Sequence, residues 1–237
     1  MSPKFFESTL QERIRLTNDV YEFAFALKQP EEIEFKAGQF INIRVDDGNK
    51  KILFRSYSIL SKTSEKKVIR SCIKIVREGR CTEWLEKIPL GTPVTFMGPI
   101  GMFVCKKESE KNMLFIATGT GITPLLCMIE DELKNGQKKS IHLLWGFRNE
   151  SHIFYQERLE KLAEQYKNFT YEITLSQPSE SWKGARGRVT EQLEKKDLDK
   201  EKTDVYICGL GDMVLDVKNL CMKKEIPAES IHFERYD

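Results

Sequence analysis

The sequence predicts two domains: an antiparallel β-barrel over residues 1–106, then an α/β domain with a doubly wound parallel sheet over residues 107–237. The length of 237 residues suits two modules of roughly 100 to 130 residues. In the first half apolar residues come in short alternating bursts, whereas in the second half short apolar strands alternate with amphipathic helices. A polar stretch at 106–112 separates the two patterns and marks the boundary.

The first half, from Lys4 to about Cys105, has the pattern of closely spaced antiparallel strands. Residues 41–45, Ile-Asn-Ile-Arg-Val, show the alternation, and one short helix is convincing, from Thr82 to Ile88. Many strands with few helices predict a small closed or sandwich-like barrel. The turns between the strands contain Gly or Pro: they include Ala37-Gly38, Asp47-Gly48-Asn49 and Leu90-Gly91-Thr92-Pro93.

The second half predicts five buried strands separated by four helices. The strands are Met113 to Ala117, Ile141 to Gly146, Thr170 to Leu175, Val205 to Cys208 and Ile231 to Phe233. The helices run from Thr123 to Asn135-Gly136, from near Ile153 to Tyr166, after Thr190, and from Met213 to Lys224 before Pro227. In such a fold the ligand binds at the carboxyl ends of the strands.

Composition excludes several function classes. A formal net charge of +2, with both signs mixed along the chain, lacks the strongly basic character of a nucleic-acid-binding protein. Residues 1–16 lack the apolar run of a signal peptide or membrane span, so we expect a cytoplasmic protein that does not enter a membrane. A monomer is expected as a separate matter, although the sequence does not determine the oligomeric state. No metal is expected, because the six cysteines lack the paired spacing of zinc or iron–sulfur sites. They are Cys72, Cys81, Cys105, Cys127, Cys208 and Cys221.

Two glycine loops in the second half each follow an apolar strand and precede a helix. Residues 119–124 read Gly-Thr-Gly-Ile-Thr-Pro, and residues 208–213 read Cys-Gly-Leu-Gly-Asp-Met. Bare backbone N–H groups and the helix dipole favour an anion at such a loop, and glycine allows close approach. Each loop alone is also compatible with an ordinary tight turn. Two of them at strand ends predict one dinucleotide cleft.

In the first half, Arg55-Ser56-Tyr57-Ser58 places a cation, an aromatic ring and two hydroxyls on one predicted strand. Arg55 and Tyr57 share a face, so they can clamp a phosphate and stack on a flat ring. Gly79-Arg80-Cys81-Thr82 leads into the short helix and is a second candidate phosphate site. Taken singly, each motif is also common in ordinary strands and turns that bind no ligand.

With these motifs in the same order, the chain resembles the ferredoxin–NADP reductase family over nearly its whole length. Arg55, Tyr57 and Ser58 match the family's Arg-x-Tyr-Ser flavin motif, and Gly79, Cys81, Thr82 and Leu85 resemble its pyrophosphate loop, with Thr82 in place of the commoner serine. Residues 98–101, Gly-Pro-Ile-Gly, resemble its barrel-closing turn. Glu234-Arg235-Tyr236 resembles the Glu-x-Tyr ending of plastid-type members, although this chain adds Asp237.

The resemblance implies FAD and either NADP or NAD as cofactors. It implies that Arg55 binds the flavin phosphates, that Tyr57 and Tyr236 stack on the flavin, and that Ser58 bonds near the reactive ring nitrogen. Further implied cofactor contacts in the flavin half are Ser56, Cys72, Ile73, Lys74, Arg80, Cys81 and Thr82. Those in the nicotinamide half are Thr118, Gly119, Thr120, Gly121, Thr123, Pro124, Gly146, Arg148, Ser176, Gln177, Lys183, Arg186, Cys208, Gly209, Leu210 and Met213.

The catalytic residues that the resemblance predicts are Ser58, Cys208, Glu234 and Tyr236. NAD(P)H would lie across the two glycine loops and displace Tyr236. Ser58 and Glu234 would steer the accompanying proton, while Cys208 shapes the nicotinamide pocket and is not a nucleophile.

The coenzyme preference stays open. Members selective for NADPH often have Ser-Arg at the strand end where this chain has Ser176-Gln177. Lys183 or Arg186 would then have to bind the 2′-phosphate, or NADH would be accepted equally.

The predicted activity is electron transfer from NAD(P)H through FAD to ferredoxin or flavodoxin. Two enzyme alternatives are the reductase component of an oxygenase that uses a separate ferredoxin, and a free-flavin reductase. A third alternative is an inactive nicotinamide-sensing subunit, because fold alone does not fix function.

Overall fold

A computed structural model describes residues 3–45, 52–106, 109–136 and 138–236. The predicted turn Asp47-Gly48-Asn49, the predicted domain start at residue 107 and the final Asp237 lie outside these ranges. The chain divides into two compact units. The first comprises Met1–Cys105 with Leu126–Asp131, and the second comprises Lys106–Leu125 with Glu132–Asp237.

The first unit is built on a six-stranded antiparallel sheet, which confirms the predicted barrel class. The sheet curls, because the ends of its two outermost strands come together: the Leu60 amide donates to the Arg70 carbonyl at 2.8 Å, and Ser71 Oγ to the Ser58 carbonyl at 2.8 Å. In sheet order the strands are β4 (Leu53–Ser58), β3 (Phe40–Val45), β6 (Pro93–Ile100), β1 (Lys4–Arg15), β2 (Val20–Gln29) and β5 (Val68–Lys74).

Apolar residues that alternate along these strands fill the interior of the curled sheet. Phe23, Phe25, Ile41, Ile43 and Phe96 are fully buried, as the period of two along a strand requires. Helix α1 (Arg80–Lys87) begins two residues earlier than the sequence predicts. The reason is that Gly79 serves as its N-cap and accepts the first helical hydrogen bond from Glu83.

The second unit is a parallel sheet with helices in its connections, and every predicted strand and helix is present. Its sheet order is β10 (Ala185–Arg186), β9 (Phe169–Leu175), β8 (Ile141–Phe147), β7 (Asn112–Thr118), β11 (Thr203–Leu210) and β12 (Ile231–Tyr236). The helices are α2 (Ile122–Lys134), α3 (Gln156–Gln165), α4 (Val189–Glu194) and α5 (Gly211–Lys223).

The strand order places the topological switch point between β7 and β11. The chain leaves β7 in one direction to form β8 and β9, then returns to the other side of β7 to form β11 and β12. Ligands of doubly wound sheets bind at the carboxyl ends of the strands beside such a point. Both predicted glycine loops lie there.

The structure differs from the sequence prediction at several element boundaries in this unit: α4 starts at Val189, before Thr190, and α5 starts at Gly211, before Met213. Helix α3 starts at Gln156, not Ile153, because Tyr155 has a left-handed backbone (φ 56°) that a helix cannot continue through. The two-residue strand β10 was not predicted, since it is too short to show a period. Strand β12 continues to Tyr236 because Gly209 and Leu210 still pair with Arg235 and Tyr236.

Candidate functional site

The two glycine loops of the second unit touch through their backbones. A Cβ placed on Gly121 would lie 2.6 Å from the carbonyl carbon of Cys208 and 2.8 Å from Cα of Gly209, and closer still to the Cys208 oxygen. A Cβ on Gly209 would meet Met213 Cε at 2.6 Å and also Thr118 Oγ1. Only glycine permits this approach, so the sequence expectation that the loops share one place is confirmed.

Thr118, the last residue of β7, carries a polar atom suited to a ligand. Its Oγ1 is buried and has no hydrogen-bond partner in the structure. An unsatisfied buried hydroxyl costs about 1–3 kcal/mol, so such groups usually have a partner. The hydroxyl lies beside Gly209, where the loops meet, and a bound polar ligand can supply the missing hydrogen bond.

The start of α2 leaves backbone donors available to an anion. The turn at Gly119–Gly121 has no side-chain cap, and Thr123 Oγ1 is occupied with the Thr120 carbonyl at 2.7 Å. Gly119 has a left-handed φ of 50°, and a Cβ there would meet nothing within 4 Å, so the loop is open on that side. Pro124 stands in the first turn of α2, where it removes no required donor.

Cys208, Glu234 and Tyr236 meet at the ends of β11 and β12. Cys208 pairs with Glu234 in the strand register, and Tyr236 with Leu210. Burial, and then the charge of Glu234, raise the pKa of the Cys208 thiol well above its ordinary value, whereas a hydrogen bond with Tyr236 opposes that shift. The thiol is therefore protonated at neutral pH, which fits a residue that shapes a pocket and is not a nucleophile.

The segment after β9 is held by many hydrogen bonds. Arg148 Nε donates to Gln177 Oε1 at 2.9 Å, and the Gln177 amide donates to the Arg148 carbonyl at 2.7 Å. Arg186 Nη2 donates to the carbonyls of residues 179, 180 and 182 at 2.9, 3.1 and 3.0 Å. Lys183 and Ser176 are exposed, and Gly146 is buried where a Cβ would lie 2.7 Å from Val189.

In the first unit the two predicted flavin motifs converge. Burial and the neighbouring Cys81 thiol raise the pKa of Tyr57, and the Arg55 charge opposes the shift. Burial likewise raises the pKa of Cys81 to about 11, against a hydrogen bond with Tyr57. Arg55 itself is exposed, with Nη1 3.0 Å from the Phe54 carbonyl. A cation, a half-buried ring and the start of α1 thus lie together.

The loop before α1 is a tight turn that the Thr82 hydroxyl holds together. Thr82 Oγ1 accepts from the Val76 amide at 3.1 Å and lies 3.2 and 3.1 Å from the carbonyls of Val76 and Gly79. A Cβ on Gly79 would meet Thr82 Oγ1 at 2.6 Å and the Val76 oxygen at 2.8 Å. No side chain caps the helix at Gly79. These residues fit a diphosphate, because the first-turn N–H groups of α1 have no side-chain cap and the Arg55 charge lies close enough to Cys81 to act on its pKa.

The other predicted flavin contacts lie on two strands. Ser58, Cys72 and Ile73 are buried, and Ser56 Oγ donates to Asn42 Oδ1 at 2.7 Å. Lys74 is exposed and forms an ion pair with Asp19 at 3.3 Å, so its ammonium group already has a partner.

Sequence reasoning missed one residue that touches the nicotinamide-side loop. Trp145 is fully buried on β8, and its indole Nε1 donates to the Gly119 carbonyl at 3.0 Å. A tryptophan in an apolar strand is typical of core packing, so the sequence carries no signal for this polar link.

Each unit matches a known domain family over most of its length. Residues 7–105 match the oxidoreductase FAD-binding domain, and residues 115–219 match the oxidoreductase NAD-binding domain. The class is therefore that of a two-domain oxidoreductase that binds FAD and NAD(P). Within the ranges that the structure describes, no helix is long and apolar enough to span a membrane.

Relatives that match most of this chain identify the family within that class of oxidoreductases. Ferredoxin–NADP reductase B of Sorangium cellulosum is 33% identical over 98% of both chains. The anthranilate 1,2-dioxygenase electron transfer component of Acinetobacter baylyi is 29% identical over 89% of this chain, which spans only 61% of that relative. An Amycolatopsis cytochrome P450 reductase has the same fold, with a TM-score of 0.90 at 22% identity over 98% of this chain and 70% of that one. The chain belongs to the ferredoxin–NADP reductase family.

Proposed function

We propose that this enzyme takes electrons from NAD(P)H and passes them singly to a small carrier protein, ferredoxin or flavodoxin. The observation that carries the proposal is that each unit has a local geometry suited to a cofactor. In the first unit this is the Arg55–Tyr57–Cys81 convergence beside the uncapped α1, and in the second it is the Gly121–Gly209 contact beside the Thr118 hydroxyl.

FAD, when bound, accepts two electrons together from the nicotinamide coenzyme and releases them one at a time. The residues of the chain bind the two cofactors and orient them toward each other's reacting atoms. Arg55 and the first-turn amides of α1 hold the diphosphate, and the Tyr57 ring stacks on the flavin. The buried Ser58 hydroxyl offers a hydrogen bond at the reacting edge.

In the second unit the proposed coenzyme contacts are the amides of residues 119 and 120, which precede the first helical hydrogen bond, and the Thr118 hydroxyl. The uncharged Cys208 thiol is proposed to line the pocket. Glu234 lies close enough to Cys208 for its charge to raise the pKa of the thiol. We propose this carboxylate as the group that carries the accompanying proton. Tyr236, two residues further on, is the proposed movable cover of the flavin.

We propose that both NADPH and NADH are used. Arg186 donates to three backbone carbonyls, so its guanidinium is committed to fixing the loop. The proposed cations for a 2′-phosphate are then the exposed Lys183 and Arg148, although Arg148 Nε also donates to Gln177 Oε1. The kcat/KM values for the two coenzymes test this, and a preference above about a hundredfold for either one would contradict it.

A carrier protein as acceptor is supported by the relatives' names: one is a ferredoxin–NADP reductase and another is an electron transfer component of a dioxygenase. The second name also supports the alternative of an oxygenase reductase component. The test is NAD(P)H-dependent reduction of cytochrome c with and without added ferredoxin or flavodoxin. Strong stimulation by either carrier is expected.

Two further outcomes would contradict the proposal and favour a different function. Loss of the flavin on gel filtration, with turnover restored by free FAD, would indicate a free-flavin reductase. A protein that binds FAD and NAD(P) but reduces neither ferricyanide nor a carrier would indicate a sensing subunit.

A further inference from the structure

The indole of Trp145 contacts the first peptide of the 119–124 loop from the neighbouring strand. Ala117 and Trp145 are paired in the register of β7 and β8, so the indole reaches the loop directly beyond the end of β7. Its Nε1 donates to the Gly119 carbonyl at 3.0 Å. The ring itself is fully buried and lies in an aromatic cluster with Phe147 at 4.4 Å and Phe154 at 5.0 Å between centroids.

This hydrogen bond fixes the orientation of one peptide group. The Gly119 carbonyl also accepts from the Ile122 amide, so it is held from two sides. Because a peptide unit is planar and trans, the Thr120 N–H must point opposite to the Gly119 carbonyl, away from the indole and the core. Gly119 has no Cβ to restrict its backbone, so without the indole this peptide is held by the Ile122 amide with one hydrogen bond fewer and can rotate more easily.

We propose that Trp145 is a positioning residue for the coenzyme: its indole N–H presets the Gly119–Thr120 peptide so that the Thr120 amide faces the bound nicotinamide dinucleotide. The inference rests on the proposed function, since it needs a coenzyme at this loop. Trp145 acts through the backbone and does not itself contact the ligand. Because the Thr120 amide is already oriented, less conformational entropy of the loop is lost when the coenzyme binds.

The test compares Trp145→Phe, which keeps a ring but loses the donor, with Phe147→Leu, which disturbs the same cluster without touching the loop. For the FAD-loaded full chain, Kd for NADP⁺ and NAD⁺ is measured by flavin difference spectra, together with kcat, KM and Tm. Trp145→Phe should raise Kd and KM about tenfold, the effect of losing one buried hydrogen bond, with kcat within about twofold. Phe147→Leu should lower Tm while leaving Kd within about twofold.

Either an unchanged Kd in Trp145→Phe or an equal rise in Phe147→Leu would overturn the proposal, the latter because it would show general loosening of the cluster. A measurement on the unmutated protein does not depend on the variants folding. The chain has three tryptophans, so ¹⁵N-tryptophan labelling gives three indole signals, assigned with Trp84→Phe and Trp182→Phe. The Trp145 signal should exchange slowest and shift on saturation with NADP⁺; a signal that does not shift would overturn the proposal. If the unmutated protein binds neither coenzyme, the proposed function itself fails.

Discussion

Gly121→Ala is the substitution that most directly tests the contact between the two loops. The new Cβ would lie 2.6 Å from the carbonyl carbon of Cys208, whereas Cβ atoms essentially never approach heavy atoms within 3.0 Å. The loops must therefore separate by at least about 0.4 Å, and by more at the Cys208 oxygen. The atoms in the way are backbone, so no side-chain rotation relieves the clash. Overpacking of this kind costs about 1–3 kcal/mol.

The assay is thermal unfolding together with coenzyme Kd for Gly121→Ala and for Gly136→Ala. Gly136 has a φ of 73° and open space at its Cβ, so its variant brings backbone strain of about 1 kcal/mol without a clash at the loops. Gly121→Ala should weaken coenzyme binding at least about tenfold and lower Tm, whereas Gly136→Ala should lower Tm alone. Equal coenzyme affinity in the two variants would refute the reading that the loops form one site.

Three further predictions concern single groups. Ser58→Ala should slow flavin reduction by NAD(P)H about a hundredfold in stopped flow, because a proton-steering hydroxyl is lost; an unchanged rate would rule out that role. Deleting Tyr236 and Asp237 should alter the flavin absorption bands and tighten nicotinamide binding, and identical spectra would show that Tyr236 does not stack. Burial and the nearby Lys196 lower the pKa of His142 from 6.5 to about 4, so folding stability should fall as pH drops from 6.5 to 4; His142→Gln should flatten that fall in Tm, and an unaltered pH profile would contradict it.

Local patterns were enough to predict most of the fold. Short apolar runs for the strands, Pro124 at a helix start and Asn135-Gly136 at a helix end are signals that lie within a few residues of the chain. The two glycine loops could be assigned to one place because parallel strands end at a common edge. Tyr155 shows what local patterns do not predict. Its left-handed backbone makes α3 start later than expected, and a tyrosine side chain gives no signal for that conformation.

Apart from the meeting of the two glycine loops, contacts between distant segments could be predicted only where a resemblance supplied them. Tyr57 and Cys81 lie on different elements, and their convergence depends on how the sheet curls, which no local period encodes. The bond from Trp145 to Gly119 is of the same kind, since it depends on strand register and ring orientation. The ion pair of Lys74 with Asp19 and the carbonyl bonds of Arg186 show that a cation near a site can have a structural partner instead.

The visible spectrum of the purified protein, loaded with FAD and titrated anaerobically with NADPH and with NADH, shows directly whether the chain binds a flavin that a nicotinamide coenzyme reduces. The flavin bands should remain through gel filtration and bleach with about one equivalent of either coenzyme. A protein that retains no flavin after incubation with excess FAD, or bound flavin that neither coenzyme bleaches, would contradict the proposed function.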